Sequence, residues 1–283
     1  MEYLLLSVSA LSASAKTLLS KLCEKKRIHL FNALVFGVAF LVLLALNIGK
    51  SFEISFYTVL IAVLYAAFTL GAQLFTIKAV QLGDVSVTSL IYYCGFIIPT
   101  VFSAIVWKED FGIFKCLGLA LVVLSFVLTV DKKEKKGGLT WLFTALFAML
   151  CSGLIGIVQK VFSKSEHSCE LKMMLCLAFG MLAVVCLVLF FATKSKIAEI
   201  EKSANQTKET VAAIGMGIAT ATANSINTYL SGMMPGIVFF PAVNGGSILL
   251  GMVGGKVFFK EKLSLRKVLA IGIGILAIVL LVI

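Results

Sequence analysis

Long apolar runs separated by short polar breaks fill almost the whole of this sequence. Hydrophobic residues make up 60% of its 283 positions and charged residues only 14%, whereas soluble domains average about 45–50% and about 25%. A helix needs about 20 mostly apolar residues to cross the hydrocarbon core of a bilayer. We therefore predict an integral membrane protein.

The apolar runs predict ten transmembrane spans. Their expected bounds are residues 2–20, 30–48, 56–79, 84–107, 113–130, 139–161, 171–192, 210–230, 236–258 and 266–283. The runs are continuous rather than alternating, and backbone amides in lipid must bond within their own segment. The predicted fold class is therefore an all-α integral membrane protein. The first run lacks a basic leading region, so we interpret it as a retained span rather than a signal peptide.

Two stretches of the chain, 107–130 and 259–282, match each other at a fixed offset of 152 residues. Both contain a Lys-Glu pair, at 108–109 and at 260–261, and a lysine six residues after the glutamate. The match extends backwards, and the first span of each half ends alike, with Lys16 opposite Lys160. Self-similarity at a fixed period indicates an internal duplication.

The most polar central break, at 131–138, divides five spans from five. We predict a first repeat at 1–131, a polar linker at 132–138 and a second repeat at 139–283. Because each half has an odd number of spans, the second copy enters the membrane from the opposite side. The halves are then inverted repeats, which leave a site near the midplane that either half can expose by rocking.

The stretches "AVQLGDVSVTSLIYYCGFIIPTVFSAIVWKEDF" and "VFFPAVNGGSILLGMVGGKVFFKEKLSLRKVLAIGIGIL" resemble the drug/metabolite transporter superfamily, in particular its EamA-like ten-helix branch. In that family a proline in the fourth and ninth helices precedes a glutamate at the loop, here Pro99 with Glu109 and Pro241 with Glu261. The resemblance covers the whole chain and implies a transporter. Two features depart from it: Lys-Glu replaces the usual Gly-Glu in both halves, and the first helix lacks the common Trp-Gly.

The lysines and arginines lie unevenly among the loops. Loops after odd-numbered spans hold nineteen and loops after even-numbered spans hold six. The positive-inside rule then predicts that both termini lie outside, whereas the family resemblance implies that both lie inside. We expect a multi-pass protein of the plasma membrane or bacterial inner membrane. The net charge of +11 does not indicate nucleic-acid binding, because these charges sit in short loops and only two are arginines.

No carboxylate is expected at mid-depth, since all fourteen fall at or near the ends of spans. A proton-coupled exporter of cationic drugs generally needs a buried carboxylate that exchanges a proton for its substrate. The sequence therefore favours a facilitator or exchanger of neutral, zwitterionic or anionic solutes. No enzyme motif and no Cys or His spacing typical of a metal site is present, so we expect neither catalysis nor a cofactor.

Polar groups and helix breakers within the spans are the candidates for substrate binding. Intramembrane amides need a partner in another helix or in a solute, interior lysines attract anions or extend to the interface, and paired helix interruptions mark transporter sites. The predicted substrate-binding residues are Lys16, Gln73, Tyr92, Tyr93, Pro99, Gln159, Lys160, Asn224, Asn227, Pro241, Asn244 and Gly245. We expect Gln73 and Asn224 to act together, because they lie on equivalent third and eighth helices.

The resulting hypothesis is a secondary transporter that moves a small metabolite, such as an amino acid or a related organic solute, by alternating access. The metabolite class is implied by the family resemblance alone. A lipid or lipid-linked sugar flippase and a non-transporting membrane scaffold are the alternatives. The expected partners are a small-molecule substrate and the lipid bilayer, with homodimerisation left open.

Overall fold

A computed structural model of the chain describes residues 1–20, 22, 28–48, 54–83, 85–109, 112–129, 138–194, 206–260 and 264–282. Within these ranges the chain forms α-helices joined by short connections. The helices are α1 (Glu2–Ser20), α2 (Ile28–Ala45), α3 (Phe56–Leu82), α4 (Val85–Tyr93), α5 (Ile97–Val106), α6 (Ile113–Thr129), α7 (Leu139–Ser163), α8 (Leu171–Lys194), α9 (Gln206–Met233), α10 (Gly236–Phe259) and α11 (Leu265–Val282). The all-α membrane fold class predicted from the sequence is confirmed.

Each predicted span corresponds to one helix, except that the fourth span consists of two. A 3-10 turn, Cys94–Phe96, separates α4 from α5, and Pro99 follows within the first turn of α5. Eight of the described helical segments are long and apolar enough to cross a membrane on their own composition. Helix α6 is apolar but shorter, and α9 is long but less apolar than the others. The predicted linker at 132–138 lies, apart from residue 138, outside the described residues.

The most extensive helix contacts join the first half of the chain to the second. They pair α6 with α11, α2 with α8 and α9, α3 with α7, and α1 with α9 and α10. The counterparts in the two halves are α1 and α7, α2 and α8, α3 and α9, and α6 and α11. If each helix is replaced by its counterpart, the α1–α9 pair becomes the α7–α3 pair, while the α2–α8 and α6–α11 pairs stay the same. A two-fold relation between the halves would give this arrangement.

Two apolar clusters form the core. One is centred on α2, α3 and α8, with Leu43, Tyr65 and Phe179 among its buried members. The other joins the fourth span to α6, α10 and α11 around Phe126 and Phe239. Many large apolar side chains point outward instead, an arrangement that suits contact with lipid rather than with water.

Successive spans run in opposite directions, so the bundle has two distinct ends. We call the end where α1 begins and α11 ends the terminal side, and the end where α6 ends and α7 begins the linker side. Polar contacts between the halves occur near both ends. Ser55, before α3, donates from its backbone N–H to Glu170 at 3.0 Å on the terminal side, and Trp141 Nε1 donates to Thr88 at 2.8 Å on the linker side.

Two residues adopt the left-handed backbone conformation that only glycine adopts without strain. They are Lys108, with φ of 51°, and Lys260, with φ of 54°, and they are the only non-glycine residues with positive φ in the described ranges. Lys260 ends α10 and donates its backbone N–H to the Gly255 carbonyl, which is the αL form of helix termination. The two lysines are the first members of the Lys-Glu pairs that lie 152 residues apart.

Candidate functional site: a polar cavity between the halves

A cavity of about 440 Å³ lies at the centre of the bundle, with walls from both halves of the chain. Its lining in α1 begins at Ala13, its lining in α2 ends at Phe36, and its lining in α3 begins at Tyr65. These bounds exclude the terminal-side parts of all three helices. The cavity therefore occupies the middle of the bundle and extends toward the linker side. Its volume falls within the range of about 300–1,000 Å³ that is usual for small-molecule sites.

The structure brings together nine of the twelve predicted substrate-binding residues on the wall of this cavity. They are Lys16, Gln73, Tyr92, Tyr93, Pro99, Gln159, Asn224, Asn227 and Asn244. The other three, Lys160, Pro241 and Gly245, do not line it. The nine come from seven different helices and from widely separated parts of the sequence, so it is the packing of the bundle that makes them neighbours.

Lys16 carries the one charged side chain on the described part of the cavity wall. Its side chain is exposed, as are those of Thr17, the next residue, and of Ser20, one turn further along α1. No aspartate or glutamate lines the cavity within the described residues. The wall therefore presents a positive charge together with neutral amides and hydroxyls.

Three polar side chains from three helices meet at Asn224. The Tyr65 hydroxyl of α3 donates to Asn224 Oδ1 at 2.7 Å, and Gln159 Nε2 of α7 approaches the same oxygen at 3.4 Å. Asn224 Nδ2 donates in turn to the Thr220 carbonyl of its own helix at 2.8 Å. We call Tyr65, Gln159 and Asn224 the polar hub. Because an unpaired amide in a membrane interior is costly, the hub binds α3, α7 and α9 to one another at the cavity wall.

The predicted pairing of Gln73 with Asn224 takes a looser form. Both side chains line the cavity, but it is Tyr65 and not Gln73 that donates to Asn224. Asn227 instead accepts a hydrogen bond from Ser9 of α1, and Asn244 donates to the Phe240 carbonyl of its own helix at 2.8 Å. Asn224, Asn227 and Asn244 thus each have a protein partner while they still face the cavity.

The sequence analysis missed several hydroxyl residues of the wall, although their spacing carries a signal. Helix α3 contributes Tyr65, Thr69, Gln73 and Thr76, and α9 contributes Met216, Thr220, Asn224 and Asn227. Both sets have spacings of four, four and three residues, which place their members on one face of a helix. Ser152 and Ser247 are further hydroxyls on the wall. A search for polar residues that share one helix face in the third and eighth spans would have identified most of these residues of α3 and α9.

Lys160 lies on the terminal side of the cavity, buried to 1% exposure. Its ammonium group forms an ion pair with Glu109 Oε1 and lies 5.2 Å from the centre of the Trp107 ring. The other oxygen, Glu109 Oε2, accepts a hydrogen bond from the backbone N–H of Ile237 at 3.2 Å. Lys160 therefore neutralises a carboxylate of the protein instead of facing the cavity.

Pro241 does not interrupt its helix, contrary to the expectation of paired interruptions. Helix α10 continues from Gly236 to Phe259, whereas the fourth span is broken before Pro99. Pro241 stands only five residues after the start of α10, so its missing N–H removes a single backbone bond close to the helix end. The nearest side chains to Gly245 are Ile278 and Val122, so this glycine faces α11 and α6.

Comparisons with known proteins agree with this architecture. Residues 1–131 match the sequence model of the EamA-like transporter family, and this match confirms the resemblance predicted from the sequence. No curated protein matches the chain. Among solved structures, 29 chains match. One of them, titled only "Crystal structure of protein", has a TM-score of 0.74 and 16% sequence identity, and the alignment covers 99% of this chain and 95% of that chain. At that identity the likeness shows the fold alone.

The family match and the helices together define the class of this protein. It is a multi-pass membrane protein whose residues 1–131 are similar to the EamA-like transporter family. Its substrate is a separate question, which depends on the chemistry of the cavity wall.

Proposed function

We propose that this protein is a facilitator or exchanger for a small polar organic solute that carries an anionic group, such as an amino acid or a related metabolite. The observation that carries the proposal is the cavity wall, which combines the Lys16 side chain with amides and hydroxyls and, in its described part, has no carboxylate. The Lys16 ammonium group repels a cation, whereas it offers a carboxylate or phosphate group a charge-assisted hydrogen bond.

The two halves act as inverted repeats, 1–131 and 139–283, that expose the cavity to the two sides in turn. The reciprocal contacts of α1 with α9 and of α3 with α7 support this arrangement. The cavity in this structure extends to the linker side, which the positive-inside rule assigns to the cytoplasm. Proton coupling through a carboxylate on the wall has no support from the described lining.

The test is counterflow in proteoliposomes with a pooled panel of amino acids, organic acids and organic cations, with and without a pH gradient. We expect exchange of zwitterionic or anionic solutes that is independent of the gradient. Exchange of cations alone, or flux that requires the gradient, would contradict the proposal. A parallel assay of fluorescent-lipid movement in the same vesicles tests the flippase alternative, and lipid movement without solute flux would favour it.

Lys16→Gln is the matched variant, because it keeps a polar side chain of similar reach and removes only the charge. We expect the rate of anionic exchange to fall by about tenfold or more, which corresponds to about 1.4 kcal/mol of lost attraction. Lys164→Gln, which removes an exposed lysine at the end of α7 away from the cavity lining, should leave the rate unchanged. Equal rates in the Lys16→Gln variant and the original protein would remove the role of Lys16.

A further inference from the structure

The ion pair of Glu109 and Lys160 joins the two halves of the chain at the terminal side of the cavity. Glu109 follows α5 in the first half, and Lys160 belongs to the last turn of α7 in the second. Because Glu109 also accepts the backbone N–H of Ile237, a single carboxylate connects the first half to both α7 and the start of α10.

This connection lies directly beyond the terminal-side end of the cavity. Gln159, the neighbour of Lys160 in the chain, lies on the cavity wall, while Lys160 itself does not. A solute that moved from the cavity toward the terminal side would meet the Glu109–Lys160 pair. Hydrogen bonds from Ser9 to Asn227 and from Ser55 to Glu170 also join the halves on this side.

The helices around the pair pack closely against one another. A methyl group added at Gly236, the first residue of α10, would overlap the Ser103 side chain, with Cβ at 2.7 Å, and would lie 2.8 Å from Lys160 Nζ. A methyl group at Gly156 of α7 would lie 2.8 Å from Pro99 Cγ. Only glycine, whose side chain is a single hydrogen atom, allows α5, α7 and α10 to approach this closely, so these helices are in direct contact beside the ion pair.

We propose that Glu109 and Lys160 form a latch that holds the terminal side of the transport pathway closed and that parts when this side opens. A buried ion pair suits such a latch, because its net contribution to stability is small when both partners can regain water. As the halves separate, water enters and solvates the ammonium and carboxylate groups. Removal of one partner is therefore costly, because it leaves a buried charge unpaired, whereas separation of both partners into water costs little.

Hydrogen–deuterium exchange of the purified protein in lipid nanodiscs tests the latch without knowledge of the substrate. The variant Glu109→Gln keeps the side-chain shape and removes the charge. We expect exchange in the first turns of α10, which include the Ile237 amide, and in the last turn of α7 to become about tenfold faster. Exchange in α2 and α8, which pack in the other apolar cluster, should stay unchanged.

Two further variants distinguish opening of the terminal side from misfolding of the whole protein. The double variant Glu109→Gln with Lys160→Met leaves no unpaired buried charge, so it should fold and show the same local increase. The variant Glu166→Gln removes an exposed glutamate from the same end of the molecule and should exchange like the original protein. Unchanged exchange at α10 in both latch variants would overturn the proposal, and so would an increase spread evenly over all helices. Because this readout involves no solute, its outcome is independent of the counterflow assay.

Discussion

Lys16 and Lys160 occupy matching places in the two halves of the chain, but their surroundings differ. Lys16 is exposed on the wall of the cavity toward the linker side, with no ion-pair partner among the described residues. Lys160 is buried beside Glu109 and Trp107 on the terminal side. The same residue type thus lines the cavity in one half and forms a buried ion pair in the other. The proposed inverted repeat would account for this asymmetry, because equivalent positions of the two halves then lie on opposite sides of the membrane.

The largest expected difference between the two ends is in stability. Lys160→Met leaves the Glu109 carboxylate, 12% exposed, without its counter-ion, and the loss of one partner of a buried pair costs about 3–5 kcal/mol. Lys16→Met should change the free energy of unfolding by less than about 0.5 kcal/mol. Reversible unfolding in mixed detergent micelles measures both values. Similar losses for the two variants would show that the ends do not differ in the way the contacts indicate.

A smaller difference is expected between two amides of the cavity wall. Asn224→Ala removes the acceptor of Tyr65 and Gln159, which come from two other helices, and should lower the free energy of unfolding by about 1–2 kcal/mol. The Asn244 side chain donates to the carbonyl of Phe240 in its own helix, so Asn244→Ala should cost about 0.5 kcal/mol. Unfolding without added solute compares the two. A larger loss for Asn244→Ala would contradict the role of the hub in joining the helices.

The smallest effect concerns a feature that the two halves share. Lys108 and Lys260 both have positive φ, which glycine adopts without the steric cost of about 1 kcal/mol that a side chain brings. Lys108→Gly and Lys260→Gly should therefore each raise the free energy of unfolding by about 0.5–1 kcal/mol. Lys256→Gly, inside α10, should lower it by about 1 kcal/mol because glycine weakens helix interiors. A loss of stability in both αL variants would show that the lysine side chains make contacts worth more than the strain.

The spans could be predicted from the sequence because each apolar run has to satisfy its own backbone in lipid. A proline within a span predicts a break in the helix. The fourth span, which contains Pro99, is broken, whereas α10, which contains Pro241, is continuous. The position of Pro241 in the second turn of α10 decides the outcome, and a sequence does not fix where a helix starts to within two or three residues.

The cavity wall could be predicted in large part because polar side chains are rare inside membrane spans and need a reason to be there. The position of Lys160 outside the cavity, in an ion pair, could not be predicted from the sequence. Its partner Glu109 lies 51 residues away, at the end of a different helix, and nothing in the local sequence of either residue indicates the pairing. The match of Lys16 with Lys160 suggested one shared role, whereas the packing of the two ends gives them different ones.

Helix α9 has a consequence for the way this protein is made. It is the least apolar of the long helices and does not meet the composition of a span that inserts by itself, yet it provides Thr220, Asn224 and Asn227 to the cavity wall. Its polar face is covered by α1, α2 and α7, which are synthesised earlier. The nascent chain can therefore hold α9 in the bilayer only by offering it helices that are already inserted, so the first half serves as the assembly platform for the second.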